Sequence, residues 1–587
     1  MLARNSWRRA LSTAAAAEIS RGATRRWPRR VGRFLLGTTV VGGAVYVVDR
    51  QYQASAIARS IRTLSMGLIV SLDYKLNFNV ENVEGIDALH ARSAERLYDC
   101  ITKNGGLYIK LGQAIGLQAA MLPPPYRRAF ANIFDQAPTV PYSEVEQIFA
   151  KEFNGMSPDD LFDSFDRTPI ASASIAQVHR ARLNGQEVAV KVQKMAIAKQ
   201  IEWDLWCYRV LLKMADWWFE MPIAFLSSYI SEQITHETDF EREARNSTRA
   251  AKDFATDPWL AARVYVPKVN WDRTSRRVMT AEWIGDAHRL NDGEAIVRRG
   301  FNTKSIMDTV ISALSAQTFV FGFVHCDPHP GNILIRPHPA DKTKPQVVLI
   351  DHGLYVELPD KFRREYAELW RSIFVGDIRA VERTAKLWGI DPGSGDLFAS
   401  SILLRPHRLK PKPRKPSEGK DGEEEKQLTP EEYKALMFQQ QEAMKKRVKT
   451  FLQNEELIPR ELIFIGRVQR MLQGNNQVLG SPSNRVNLTA KWSAIGCRVS
   501  LPPVSSIFTL GPKPLLSGIF ELIVFRLSLS LIDLAFRFTR LQQWWRGQSS
   551  RRGSGFEDLL DRQVRDMARH QLGVDMDDES LDVLIQS

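Results

Sequence analysis

The amino-acid sequence predicts an α+β fold of two lobes with helical regions before and after them. Three stretches carry this prediction. "ASIAQVHRARL", "NG" and "QEVAVKVQ" (residues 173–193) are two alternating runs around a turn. "VHCDPHPGNILI" (324–335) packs His, Cys, Asp and Pro into a loop that runs into aliphatics. "QVVLIDHGLY" (346–355) is a buried-type strand that ends on an acid and a glycine.

The chain has 587 residues and a net charge of +13, a length for roughly two to four compact units. Residues 1–33 hold nine Arg and one Glu, so +8 of that charge sits at the N-terminus. Basicity that sits mostly there is weak evidence for nucleic acid as a partner. The stretch is rich in Arg, Ala and Ser and almost free of acids, as mitochondrial transit peptides are; a disordered basic tail is the plainer alternative. Residues 34–48, "FLLGTTVVGGAVYVV", are uncharged between Arg33 and Asp49. A spanning helix takes about 20 apolar residues, so a transmembrane segment here relies on snorkelling Arg side chains or a thinned bilayer; a buried or interfacial segment is the competing reading. If it spans the mitochondrial inner membrane, positive-inside reasoning leaves the rest of the chain facing the intermembrane space. The four Cys are scattered, which argues against a disulfide framework and a CxxC zinc module.

Residues 51–150 read as helical, with apolar residues at three- and four-residue steps in "IARSIRTLSMGLIVSL". "MLPPPYRRAF" interrupts the pattern, and a new helix is expected near Ser143. Residues 160–285 read as β-rich. Their Asn184-Gly185 pair suits a type I′ hairpin, whose central residues both need positive φ. Residues 286–405 return to helix around the 324–335 loop. Pro and charge fill residues 405–428, which cannot bury apolar surface and are expected to be disordered. The expected units are a transit peptide (1–33), a membrane segment (34–48), a helical extension (80–158), a first lobe (159–285), a second lobe (286–404), the insertion (405–428) and a helical C-terminal region (429–587).

Alternate residues of a strand face opposite sides, so Val188, Val190 and Val192 point one way and Ala189 and Lys191 the other. An inward Lys needs a counter-charge, which an ATP phosphate and a Glu supply; a surface Lys is the alternative. In "HETDFEREA" (236–244), a helix puts Glu237 with Glu241 and Asp239 with Glu243. Alone this is a solvated acidic face, but it lies about fifty residues after Lys191, where a kinase places its regulatory helix. Asp327 and Asn332 have the spacing of a kinase catalytic loop, in which Asp orients the hydroxyl nucleophile and Asn binds magnesium. Pro328 and Pro330 rule out a regular helix, and with it a zincin pair of His. Asp351 stands where a kinase carries its magnesium-chelating Asp, with His352 in place of Phe. "RRVMTAEWIGD" (276–286) fits a last strand of the first lobe, with adenine recognised by backbone groups near Glu282. In this order the signals predict an atypical protein-kinase-like two-lobe fold. The usual glycine-rich phosphate loop is replaced by Ala171, Ser172, Ala173 and Ser174, whose Cβ atoms exclude glycine-only conformations.

Together with "GLYIKLGQAIGLQAAMLPPPY" (106–126), ahead of any kinase domain, these features resemble the UbiB/ABC1-like (aarF-domain, ADCK) atypical kinases over about residues 80–400. The matching signatures are KxGQ at Lys110, Gly112 and Gln113, the alanine-rich loop, ExD at Glu237 and Asp239, HxDPHPGN from His325 to Asn332, and Asp351. The resemblance implies that the KxGQ helix folds over the active site, contacts the ExD motif and occludes a protein substrate, with Lys110, Gln113, Glu237 and Asp239 as its gate. It implies magnesium-dependent ATP binding, with Lys191 on the α/β-phosphates and paired with Glu243. Asp327 is then the catalytic base, or orients water, and Asn332 and Asp351 bind Mg2+. Relatives act in mitochondrial or plastid lipid metabolism, notably that of coenzyme Q. "DHGLY" resembles the branch tied to inner-membrane lipid homeostasis more than the coenzyme Q kinases, which read DFG.

Residues 515–547 are apolar with spaced charges, and Arg526, Asp533 and Arg537 fall within about 40° on a helical wheel. An interfacial amphipathic helix and a helix packed on the second lobe both fit. The expected function is an ATP-consuming phosphotransferase or ATPase of the mitochondrial inner membrane, with ATP and membrane lipids as partners and no nucleic acid. A catalytically silent pseudokinase scaffold that binds nucleotide or lipid is the alternative. A conventional protein kinase is disfavoured, because the KxGQ lid blocks a peptide groove.

Overall fold

The computed structural model describes residues 47, 49, 55–78, 83–116, 123–130, 138–219, 231–232, 234–389, 402–403, 459–497, 513–545 and 556–557. The expected transit peptide, the 34–48 segment apart from Val47, and the 405–428 insertion lie outside them. Among the described residues no helix is long and apolar enough to cross a membrane.

The N-terminal extension is helical. It comprises α1 (Ala56–Asn77), α2 (Val83–Asn104), α3 (Leu107–Gly116) and α4 (Pro124–Phe130). Gly105 and Gly106, both at positive φ, turn α2 into α3. The extension is fastened to the first lobe through α6 (Met195–Phe219). Arg59 of α1 makes a buried ion pair with Asp204 of α6 at 2.5 Å, and its guanidinium also donates to the Asn104 carbonyl. Such a pair contributes little net stability, but losing one partner strands a buried charge, so it fixes which helices meet.

In the first lobe, β1 (Ser164–Phe165), β3 (Ala176–Leu183), β4 (Gln186–Gln193) and β6 (Val278–Glu282) form one sheet in that order, with β2 (Ala171–Ser172) on β3. Asn184 and Gly185 join β3 to β4 at φ 52° and 74°, the positive pair that a type I′ turn needs. Strand parity holds. Val188, Val190 and Val192 pack with Val145, Ile148 and Phe149 of α5 (Tyr142–Glu152), while Ala189 and Lys191 face the interlobe cavity. The β-rich reading of 160–285 needs correction: the 25-residue α6 and α7 (Phe240–Ala255) lie inside it. In α6 the run from Met195 is dense in Ala, Leu, Lys and Met, strong helix formers, and its Trp and Ile residues are not confined to a two-residue period.

The second lobe holds a sheet of β5 (Val264–Tyr265), β10 (Pro345–Leu349), β9 (Ile333–Pro337) and β7 (His288–Arg289), and a ribbon of β8 (Phe323–His325) with β11 (Tyr355–Glu357). Helices α8 (Thr303–Ala316), α9 (Asp360–Val375) and α10 (Ile378–Leu387) surround these strands, followed by α11 (Glu461–Val478), α12 (Arg485–Gly496) and α13 (Lys513–Trp545). One apolar core joins α8, α9, α11, α12 and α13. The described helices α11, α12 and α13 are therefore part of the second lobe, and α13 packs on it through Phe525, Leu529 and Phe536. The opposite face of α13 still exposes Leu527, Leu534, Phe538 and Leu541. The packed-helix reading holds for the inner face of α13, and the outer face stays apolar and exposed.

Candidate active site

A cavity of about 1500 Å³ opens between the lobes, with Lys191, Glu243, Asp327, Asn332 and Asp351 on its wall. Each arrives by a local cause. Lys191 comes from the inward face of β4. Glu243 sits in the first turn of α7, where a carboxylate is favoured by the helix dipole. Asp327 follows β8 and Asn332 ends a single 3₁₀ turn that begins at Pro330. Asp351 follows β10, so the β9–β10 pairing sets its distance from Asn332.

The Lys191 Nζ donates to both Glu243 carboxylate oxygens at 2.8 Å and lies 3.6 Å from Asp351 Oδ1. Burial works against the Lys191 charge, but Asp351 and Glu243 outweigh it and raise its pKa. Burial likewise opposes the Asp351 charge, and Lys191 and Lys110 overcome it, holding that carboxyl well below its usual range. Asp351 has φ 59°, a left-handed conformation that non-glycine residues adopt at a cost and that clusters at functional sites. Beside it, a Cβ on Gly353 would lie 3.3 Å from Asp351 Oδ1 and 3.9 Å from Glu243 Oε2, so glycine keeps this corner open.

Asn332 Nδ2 donates to the Asp327 carbonyl at 3.1 Å, which stiffens the loop and leaves its Oδ1 as an acceptor. Asp351 and Asn332 thus offer hard oxygen ligands, the chemistry Mg2+ selects. Among the described residues no three His, Cys, Asp or Glu gather as a self-sufficient metal site.

His352 is 2% exposed and both its ring nitrogens are engaged: Nε2 with the Leu349 carbonyl at 3.0 Å and Nδ1 with Tyr355 Oη at 2.9 Å. A carbonyl only accepts, so Nε2 carries the proton and Tyr355 donates to Nδ1. Gln317 closes the chain, donating to Tyr355 and accepting from the His325 amide. The residue that replaces Phe is held by hydrogen bonds in addition to packing.

The extension reaches the site through Lys110 of α3, 3.5 Å from Glu237 Oε2. Glu237, followed by the field of Asp327 and Asp351, raises the Lys110 pKa against the effect of burial. Gln113 lies on the same helix. Asp239 corrects the sequence reading. One helix does not run through residues 236–244: α7 starts at Phe240, and Asp239 is its N-cap, accepting from the Arg242 amide at 3.1 Å. Asp is among the best N-cap residues, so it ends the preceding turn and aims α7. It does not share a helix face with Glu243. Ala171, Ser172, Ala173 and Ser174 line the cavity as a tight hairpin, with Lys194 Nζ donating to the Ala173 and Pro138 carbonyls at 2.6 and 2.9 Å. Glu282 ends β6 at the cavity, and its carboxylate accepts from Tyr265 Oη and from the Lys268 amide at 3.4 Å.

Two site residues escape sequence reasoning. Arg467 of α11 bonds Asp327 Oδ1 at 2.6 Å, and Arg470 follows on the same face at the cavity wall. Burial opposes the Asp327 charge, but Arg467, His329 and Lys110 hold its pKa below the usual value. Arg467 is 140 residues beyond Asp327, so no spacing rule links them. The available signal is a pair of Arg three apart in a helix whose Ile465, Val468 and Leu472 are core residues.

A strand Lys ion-paired to a helix Glu, facing an Asp–Asn loop and a strand-end Asp, defines the chain as protein-kinase-like. Residues 132–385 match the ABC1 atypical kinase-like domain. An ABC1 family protein of Purpureocillium lilacinum is 37% identical over 91% of each chain. One of Schizosaccharomyces pombe is 40% identical over 80% of this chain and 84% of its own. A Dictyostelium discoideum protein named as a probable serine/threonine-protein kinase is 32% identical over 78% of this chain and 64% of its own. The chain belongs to the ABC1/AarF-domain (UbiB, ADCK) atypical kinase family.

Proposed function

We propose that this chain binds Mg-ATP and transfers or hydrolyses its γ-phosphate at the inner mitochondrial membrane, in support of phospholipid or coenzyme Q homeostasis, with its kinase-like domain in the intermembrane space. The observation that carries the ATP reading is the Lys191–Glu243 pair at 2.8 Å, facing Asp327, Asn332 and Asp351 across the same cavity. Lys191 is placed for the α/β-phosphates and Asp327 for an attacking hydroxyl or water. Asn332 and Asp351 would hold the magnesium, which when bound neutralises phosphate charge. The membrane reading draws on the apolar outer face of α13 and on the composition of residues 1–48. Lys110 and Arg467 both pair with site acids, which favours gated turnover; the second reading, a silent scaffold, draws on the same contacts.

The test is ATP hydrolysis by the full chain with magnesium, with and without cardiolipin-containing vesicles. Vesicles are expected to stimulate turnover. Asp351→Asn should lower it about 100-fold or more, the scale of losing a group that holds transition-state charge. Leu534→Glu with Phe538→Glu should abolish the stimulation alone. Wild type and Asp351→Asn equally silent, with nucleotide still bound, would favour the scaffold.

A further inference from the structure

Helix α11 lies outside the matched kinase-like domain, yet it forms one wall of the cavity through Phe464, Arg467, Arg470, Met471, Gly474 and Asn475. Asn475 Nδ2 donates to the Pro328 carbonyl at 2.9 Å, which locks the helix to the catalytic loop. The cavity is larger than the about 300–1,000 Å³ of an ordinary small-molecule pocket, so a nucleotide leaves room beside it.

The charges on this wall are incompletely matched. Arg467 spends one guanidinium nitrogen on Asp327, while its buried Nε has no hydrogen-bond partner. Arg470, one turn on, makes no hydrogen bond or ion pair with the described residues. Its side chain lines the cleft and the residue is exposed, but the enclosing walls, and then the like charge of Arg467, lower its pKa. Two guanidiniums with free donors stand beside the carboxylate placed for the acceptor hydroxyl. Arg presents several N–H donors in a planar fork suited to phosphate oxygens.

We propose that Arg467 and Arg470 form an anion subsite next to Asp327, which binds the phosphate group of a hydroxyl-bearing phosphomonoester acceptor. The position beside Asp327 rests on the ATP reading above; the anion site itself does not. When the acceptor binds, its phosphate takes the free donors of Arg467 and Arg470 and brings its hydroxyl to Asp327. A soluble phosphate ester and a lipid phosphate headgroup present the same chemistry.

The experiment is calorimetric binding to the full chain, with magnesium and a non-hydrolysable ATP analogue at saturation so that the nucleotide's phosphate sites are filled. The probes are glycerol 3-phosphate, and vesicles of lysophosphatidic acid, which keeps one free hydroxyl, in phosphatidylcholine against phosphatidylcholine alone. Arg470→Gln and Arg467→Gln should each weaken phosphate binding about tenfold or more, the worth of a charge-assisted hydrogen bond, and Arg470→Lys should recover part of it. Circular dichroism and thermal midpoints show that the variants are folded. Binding of the soluble ester points to a free metabolite, and binding of lysophosphatidic acid vesicles alone to a headgroup. Equal binding by wild type and Arg470→Gln overturns the proposal, as does a wild type that holds the analogue and binds neither probe. A wild type that binds phosphate through the Arg pair but no nucleotide upholds the subsite and overturns the ATP reading instead.

Discussion

Asp351 holds a left-handed backbone at φ 59° while its carboxylate faces two lysines. Asn is among the few residues that tolerate this conformation, so Asp351→Asn removes the charge without adding backbone strain and is the cleaner choice over Ala. Elsewhere a buried histidine adds to the acid sensitivity of the fold, beside His325 and His352. His179 is fully buried, with Nδ1 on the Asp166 carbonyl at 2.7 Å and Nε2 on Gln177 at 3.0 Å. Burial lowers its pKa below the ordinary 6.5. The unfolded chain then binds a proton near pH 6.5 that the folded chain refuses, so its stabilising contribution is full above that pH and is lost as pH falls toward the folded pKa. Denaturant titrations are expected to show stability falling below pH 6.5, by up to about 1.4 kcal/mol per pH unit from this group. The slope should be shallower in His179→Gln, and an unchanged slope would remove His179 as the cause.

At the scale of elements, the helix ends carry much of the geometry. Asp239 starts α7 and so places Glu243 one turn in, opposite Lys191. Helix α8 ends in a single π turn, Gln317–Phe321, which delivers Gln317 to His325 and Tyr355. Helix α12 closes on that turn: a Cβ on Gly496 would sit 2.4 Å from the Phe319 carbonyl oxygen. Gly496→Ala should therefore force the two apart and cost about 1–3 kcal/mol, read as a lower denaturant midpoint; an unchanged midpoint would mean that the contact yields freely. These elements also show what the sequence makes legible. The hairpin, the inward Lys191 and the Asp327–Asn332 loop are fixed by period and short spacing, and they are readable. The start of α7 turns on one cap, and α6 on a long run with mixed helix and strand formers. Arg467 reaches the site only because the C-terminal helices fold back into the second lobe, which no local pattern announces.

For the whole molecule, the interlobe cleft is lined from three sides. The two lobes supply the kinase-like residues, the N-terminal extension adds Lys110, and the C-terminal helices add Arg467. The buried Arg59–Asp204 pair ties the extension to α6, and the shared core ties α11 to the catalytic loop's lobe. The central claim is that these parts converge on a magnesium–nucleotide site. The most direct measurement is the affinity of the full chain for ATP with magnesium and with chelator, beside Asp351→Asn and Lys191→Met. Submillimolar binding that needs magnesium and weakens about tenfold or more in both variants is the predicted result. Binding that ignores magnesium and survives both substitutions would contradict the account.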